Sequence, residues 1–518
     1  MSTNGMISLL AMSLVVVYLV KNIYLVAMNN QIYKYTYRSQ RDLACRMMQY
    51  YMGLPYIRLR EQNSSDLIRN ITADSNRCFV VILNLLQMTS ELLISGVLVV
   101  YLVITDPVIT ILVVVIMCIS MFLVLKFVKK KVSVLGQKDR YFEAQMNKCV
   151  LEAFGGVKEV KITHSEKFFM DDYYYKSTRY AELHRKCDVL GIIPKQVMEV
   201  VTIGSLMVSL TIRLLMGADP STFIPIVSVF AVAAFRLLPS VNKIASYINS
   251  IAFHLASFNA IYESIDEMRE GNEEYIENTE NKPAVTLNDR FELKNLSFHY
   301  PDSDKNVIDG IDLILKKNES IAFIGPSGAG KTTLADIILG VLAPQGGQML
   351  VDGESINDNI YNWQKRLGYI PQSIFLFDDN IRKNIAFGIP EDEIDDGMVW
   401  KALEEAQLKS FVEELPEGLE TRIGERGARL SGGQKQRIGI ARALYYNPDI
   451  LVLDEATSAL DNETEKAVME SIEKLQGSKT MIIIAHRLTT VQHCDNIYEV
   501  KDGKVIHKDK EEIFGKKA

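Results

Sequence analysis

The 518-residue sequence has little from which to build a metal centre or a disulfide scaffold. Its six cysteines (Cys45, Cys78, Cys118, Cys149, Cys187, Cys494) are scattered, and no two form a Cys-x-x-Cys. The seven histidines add no Cys/His cluster with metal-ligand spacing. The thiols read as small buried or membrane-facing hydrophobes in a reducing compartment. Long polar tracts are also missing. Charged residues make up 23% and hydrophobic residues 48%, which excludes a disordered chain. A positive balance is absent, since the net charge is −7, and this argues against nucleic acid as the main partner. The leader Met1-Ser2-Thr3-Asn4-Gly5 carries no positive charge, and the apolar run after it is too long for a signal peptide.

What is present divides in two. Residues 1–266 hold 27 Lys and Arg against 19 Asp and Glu, whereas residues 267–518 hold 30 against 45. The mean hydropathy of +0.06 is high for a soluble protein, and the excess lies in the basic half. Five stretches there approach or exceed the roughly 20 apolar residues of a spanning helix: about 6–26, 79–104, 108–125, 189–215 and 222–244. The short connections at Asp106-Pro107 and 216–221 contain no Lys or Arg, while 29–77 and 129–188 contain 8 and 13. The long connections are therefore expected on the cytoplasmic side. They mix charged and apolar residues and are poor in Gly and Pro, so each reads as a helical hairpin. Their tips are expected near Asn63–Asp74 and Gly155-Gly156. Residues 267–290 are acidic and polar and read as a linker.

The acidic half carries the chemistry. A short apolar strand, Ser320–Ile324, runs directly into Gly325-Pro326-Ser327-Gly328-Ala329-Gly330-Lys331-Thr332, followed by Thr333. This spacing lets backbone N–H groups wrap phosphates at a helix N-terminus. Lys331 would reach the β- and γ-phosphates, and Thr332 would offer a hydroxyl to Mg²⁺. A second apolar run, Ile450–Leu453, ends in Asp454 and Glu455. Asp454 would hold Mg²⁺ and Glu455 would polarise the attacking water. Leu430-Ser431-Gly432-Gly433-Gln434 opens a further helix with a serine cap and no bulk around it, a second anion site. One chain already has its phosphate loop, so ATP sandwiched between two copies is expected.

With these motifs in order, residues 291–518 closely resemble the nucleotide-binding domain of ABC (ATP-binding cassette) transporters. The resemblance implies that Tyr300 stacks on adenine and Gln372 contacts Mg²⁺. It places Leu430–Gln434 on the partner's ATP, gives Ser458 and Asp461 a part in communication across a dimer, and puts His486 at the γ-phosphate. Thr421–Gly427 resembles a segment that exporters carry. The expected fold is an α-helical transmembrane domain of ABC exporter type (1–266), then the linker, then an α/β P-loop domain (291–518). Exporters of this kind have six spans per half, so the first span is expected to be the missing one. ATP and Mg²⁺ are the implied cofactors. The implied partner is a second half-transporter chain, as homodimer or heterodimer, in the plasma or inner membrane with the cassette cytoplasmic.

Arg236 lies inside the fifth apolar stretch, Lys195 and Glu199 in the fourth and Glu91 in the second. Intramembrane charges usually face a cavity or a partner, and Lys195 and Glu199, four apart, are placed to pair. Lys21-Asn22, Leu54-Pro55-Tyr56, Asn63-Ser64-Ser65, 156–161, Pro194-Lys195 with Glu199, and Arg236–Ser240 resemble bacterial lipid-linked oligosaccharide flippases. That resemblance implies a lipid-linked glycan as cargo, with Arg236 the candidate contact. Drugs, peptides or other lipids are the alternative cargo. A cassette ATPase acting on nucleic acid or ribosomes is the distant alternative.

Overall fold

The structure is a computed structural model and describes residues 3–215, 220–271, 282–303, 305–454, 462–485 and 491–514. It divides into two compact units, Met1–Leu54 with Arg58–Glu273, and Pro55–Ile57 with Glu274–Ala518.

The first unit is helical. Its long helices are α1 (Thr3–Gly53), α4 (Ser75–Thr105), α5 (Pro107–Gly155), α7 (Glu166–Leu215) and α8 (Pro220–Gly271). Short helices α2 (Tyr56–Glu61) and α3 (Ser64–Arg69), and then a five-residue π-helical turn (Asn70–Asp74), lead into α4; α6 (Val157–Ile162) separates α5 from α7. The α4/α5 boundary follows from local chemistry. Pro107 disfavours a helical Asp106, which sits extended, and the Asp106 carboxylate accepts the N–H groups of Val108 and Ile109 to start α5. Among the described residues, three helical stretches are long and apolar enough to cross a membrane: Asn4–Gly53, Ser64–Thr105 and Pro107–Gly155. The other two of the five expected spans fall on α7 and α8, and residues 216–219 between these helices lie outside the described set.

The first hairpin turns earlier than expected. The helix breaks at Gly53, ahead of Pro55, and resumes at Ser64, where the Asn63 side chain accepts the Ser65 N–H. Residues 63–74 are thus the start of the returning helix. The charges of this segment pair inside the bundle. Asp74 is fully buried between Arg69 and Arg140, with Nε at 3.3 and 2.9 Å. One turn further on, Arg77 reaches Asp139 and Glu143 at 3.0 Å each, and His184 Nε2 lies 2.8 Å from Asp139. Burial holds the Asp139 and Glu143 carboxyls above their ordinary range despite these cations. At Gly136 the α5 backbone meets α8 so closely that a Cβ would lie 1.9 Å from the Phe253 carbonyl oxygen. The expected linker is partly helix, since α8 continues to Gly271; residues 272–281 lie outside the described set.

The second unit is α/β. One sheet is antiparallel, in the order β2 (Ile308–Lys316), β1 (Arg290–Phe298), β4 (Gly346–Val351), β5 (Glu354–Ser355). The other has the order β10 (Lys504–Lys508), β9 (Asn496–Lys501), β3 (Ser320–Ile324), β8 (Thr480–Ile484), β7 (Ile450–Asp454), β6 (Leu367–Ile370). All its pairings are parallel except β10 on β9. Every residue of β7 and β8 is buried, which is why both strands read as unbroken apolar runs. Helix α9 (Lys331–Ile338) packs into the core that the two sheets share. Trp363 closes that core, stacked 4.9 Å from Phe291 with its indole N–H donated to the Ile338 carbonyl at 2.7 Å. Helices α10 (Ile360–Gln364), α11 (Ile381–Ile385), α12 (Asp396–Glu405), α13 (Lys409–Glu413) and α14 (Gly432–Leu444) lie along the chain between β5 and β7.

Candidate functional site

In a parallel sheet the strand C-termini share one edge, and the loops leaving that edge form the binding crevice. Here the edge runs β3, β8, β7, β6. It therefore aligns the loop at Gly325, Ala485, Asp454 and the Pro371-Gln372 segment within about three strand spacings, ~15 Å.

The loop after β3 turns through positive φ at Gly325 (142°), Gly328 (80°) and Gly330 (101°), then enters α9 at Lys331. Alternating glycines of this kind point successive N–H groups into one concavity, an anion nest at a helix N-terminus. Gly325 has no room for a side chain, since a Cβ would lie 2.4 Å from the Val500 carbonyl oxygen. Lys331 is buried, and its ammonium donates to the carbonyls of Gly325 and Pro326 at 2.8 and 3.0 Å. The lysine thus arches over the loop and places a cation at its rim. Thr332 and Thr333 stand in the first turn of α9. The Thr333 hydroxyl lies 3.1 Å from the Tyr300 hydroxyl, and the Tyr300 ring packs edge-on against Phe298. Tyr300 is therefore moored beside the loop rather than standing free at the strand end.

Asp454 is buried at the end of β7, opposite Ile484 of β8. Nearby, burial and then the Asp454 charge push the Tyr369 phenol up to about 12. Gln372 is exposed two residues after β6. Loop, threonine hydroxyls, buried aspartate and exposed glutamine supply amide N–H groups and hard oxygen donors, a set that fits a nucleotide triphosphate with Mg²⁺. Glu455, Ser458, Asp461 and His486 lie outside the described residues.

Helix α14 opens with a reciprocal cap. Ser431 Oγ accepts the Gln434 N–H at 3.3 Å, and Gln434 Oε1 accepts the Ser431 N–H at 2.8 Å. Ser431 and Gly432 are exposed, Gly433 is buried and Leu430 packs on the core below. Among the described residues, no hydrogen bond joins Leu430–Gln434 to the loop at Gly325. Sequence reasoning missed what holds the other end of this helix. Arg442 donates to the carbonyls of Asn384 and Phe375 at 2.8 Å each and lies 4.6 Å over the Phe387 ring. Asn384 is fully buried and binds both polar backbone atoms of Phe377. Gly439 lets Ile374 seat against α14, where a Cβ would lie 2.0 Å from Ile374 Cδ1. The segment after Gln372 is therefore clamped to α14.

In the helical unit Arg236 is exposed on α8. Lys195 and Glu199 are both exposed, and among the described residues no ion pair joins them, so the expected i,i+4 pair is not made. Glu91 is instead tied across the bundle to α8, accepting from Ser240 Oγ at 2.8 Å and Lys243 Nζ at 2.6 Å. With Glu91 and Lys243 152 positions apart, no local pattern announces that pair.

The loop and the buried acid define a P-loop nucleotide-binding domain, and the capped serine-glycine helix narrows the class further. Residues 308–458 match the ABC transporter family. The chain is 33% identical over 358 residues to the ATP-dependent lipid A-core flippase of Cupriavidus pinatubonensis, covering 69% of this chain and 60% of that protein. It is 44% identical over 218 residues to the ABC transporter BEA3 of Gibberella fujikuroi, covering 42% of this chain and 17% of that protein. The chain thus spans 17% to about 60% of the length of these relatives. A solved bacterial Atm1-family ABC exporter with ATP bound superposes with a TM-score of 0.78, at 23% identity, covering 94% of this chain and 84% of that one. The chain has the ABC exporter fold, a helical transmembrane region followed by an ABC ATPase domain, and it resembles half-exporters and lipid flippases.

Proposed function

We propose that the chain is one half of an ATP-driven exporter that flips a lipid-linked glycan or similar lipid. The observation that carries this reading is the pair of anion-binding helix ends in one unit: the glycine loop before α9, and the exposed, capped start of α14. One ATP fills the loop of one copy and meets Leu430–Gln434 of another. The Ser431 hydroxyl accepts from a backbone N–H, which leaves its own proton for a phosphate oxygen. Lys331 holds the terminal phosphates, Tyr300 lies beside adenine, and Thr332, Gln372 and Asp454 supply oxygens to Mg²⁺. Glu455 polarises the attacking water, His486 meets the γ-phosphate, and Ser458 and Asp461 communicate across the dimer. The resulting homodimer sits in the plasma or inner membrane through five spans per chain, its cassettes cytoplasmic.

Moving such a pump from 1:99 to 99:1 between two states takes about 5.5 kcal/mol of differential binding. Two sandwiched nucleotides supply free energy on that scale. The relatives named as lipid A-core flippases support a lipid cargo, and Arg236 is the proposed contact. The test is reconstitution in liposomes with an ATP-dependent flipping assay across several lipid-linked sugars. ATP-stimulated movement of at least one, abolished by Glu455→Gln with ATP binding retained, is expected. Movement of drugs or peptides in place of any lipid would refute the cargo, and full hydrolysis by Glu455→Gln would refute the assigned chemistry.

A further inference from the structure

Helices α4 and α8 meet along a polar seam that enters two of the apolar stretches, 79–104 and 222–244. On α8, Arg236, Ser240, Lys243 and Ser250 recur at helical spacing and form one stripe. On α4, Asn84, Gln87 and Glu91 do the same. The two stripes are joined. Asn84 Nδ2 donates to Ser250 Oγ at 2.8 Å, and Glu91 accepts from Ser240 Oγ at 2.8 Å and from Lys243 Nζ at 2.6 Å. Gln87 turns to α1 and donates to the Tyr33 hydroxyl at 3.3 Å. The exposed leucines of α4 (Leu85, Leu86, Leu92 and Leu93) lie on the opposite side of the helix. Helix α4 thus has an apolar face for acyl chains and a polar face shared with α1 and α8, which suits water or a polar ligand.

Charge on the seam does not cancel. Among the described residues its cations are Arg236 and Lys243 and its carboxylate is Glu91, which leaves 2 − 1 = +1. The Glu91 side chain is only 12% exposed, with one oxygen on Ser240 and the other on Lys243. Arg236 stands one turn from Ser240 on the same stripe, where the Glu91 charge reaches it. It is exposed, and among the described residues it has no ion pair. Lys243 stays 55% exposed while bound to Glu91, so its ammonium borders the same open space.

We propose that Glu91 sets the charge selectivity of the transport path: it neutralises Lys243 and leaves Arg236 as the cation open to an anionic group of the cargo. This rests on the reading of Arg236 as the cargo contact. Glu91 does not touch the cargo and is a positioning residue. A second free cation would hold a pyrophosphate more tightly and release it more slowly, because tighter ground-state binding deepens the well from which the cargo must leave. Glu91 thus lowers affinity in favour of turnover.

Equilibrium binding of farnesyl pyrophosphate to the full chain in phosphatidylcholine nanodiscs, with farnesol as the uncharged control, tests this. Glu91→Gln keeps an oxygen for Ser240 and frees Lys243. Farnesyl pyrophosphate should then bind about tenfold more tightly and leave more slowly, the effect of one further charge about 10 Å along α8 at an effective dielectric constant of about 20. Glu91→Gln/Lys243→Gln restores the wild-type charge and should return the affinity to within about threefold of wild type. Arg236→Gln should weaken binding about tenfold. Farnesol binding should be the same in every variant, which a merely structural role for Glu91 would not give. Equal or weaker farnesyl pyrophosphate binding by Glu91→Gln, with the Arg236→Gln effect present, overturns the proposal alone. A tightening that persists in Glu91→Gln/Lys243→Gln also overturns it, because Lys243 is then not the cation that Glu91 restrains. Unchanged binding by Arg236→Gln instead removes the contact on which the proposal rests.

Discussion

Removing the Arg77 guanidinium should produce a loss of stability that shrinks on acidification. Arg77 is mostly buried and holds Asp139, which is 1% exposed, and Glu143 at 3.0 Å each. Arg77→Met keeps the packing, strands Glu143 and leaves Asp139 with His184 alone, and breaking a buried pair in this way costs about 3–5 kcal/mol. The cost has a ceiling, because the stranded carboxyl can take a proton. From an unfolded value of 3.8, protonating Asp139 at pH 7 costs about 4 kcal/mol, and this falls by ~1.4 kcal/mol per pH unit. In the variant the folded state then holds a proton that the unfolded chain lacks above pH 4, so its stability relative to wild type should rise as pH falls. Between pH 7.5 and 5.5 the deficit should shrink by about 1–3 kcal/mol. The assay is denaturant unfolding in detergent at both pH values. Adding Asp139→Asn and Glu143→Gln to the variant should recover most of the loss at pH 7.5. A deficit under about 1 kcal/mol, or one independent of pH, would refute the reasoning.

Three further outcomes follow from the structure. Gly325→Ala meets the Val500 carbonyl and a φ of 142°, so ATP affinity should fall by at least about tenfold in an equilibrium-binding assay while the helical unit is untouched. Burial, aided by the Arg77 and His184 charges, holds the His254 imidazole down to about 4 from 6.5, so it contributes stability at neutral pH that is lost between about pH 6.5 and 4. His254→Phe should flatten the wild-type thermal-melt profile across that window, a change of up to ~3 kcal/mol. Arg442→Ala frees two carbonyls and the Phe387 face, which should destabilise the ATPase domain by about 2–3 kcal/mol and lower its melting temperature.

The nucleotide loop was legible because it is local. Three glycines, a lysine and a preceding apolar strand adjoin in sequence, and their conformations follow from residue type. The β7 and β8 strands were legible for the same reason, as short apolar runs. Legibility failed where polarity had a distant partner. Residues 63–74 read as a hairpin tip, yet Asp74 pairs with Arg140 and Arg77, just beyond, with Asp139, both on α5 and more than 60 residues away. The real turn was written in Gly53 and Pro55 and in the Asn63 cap. Lys195 and Glu199 looked like a pair by spacing but are not joined, whereas Glu91 and Lys243 had no spacing to betray them. Arg442 was passed over because a basic residue late in a helix is usually a solvated end.

Helix α14 has a hydroxyl cap facing outward at one end and an arginine fastened into the post-Gln372 loop at the other. Thirteen hydrogen-bonded residues make a strut about 20 Å long with no glycine-rich joint beyond the seat for Ile374. A strut cannot absorb displacement. A load on the serine tip would therefore pass along the helix axis toward the Phe375 segment that Arg442 holds.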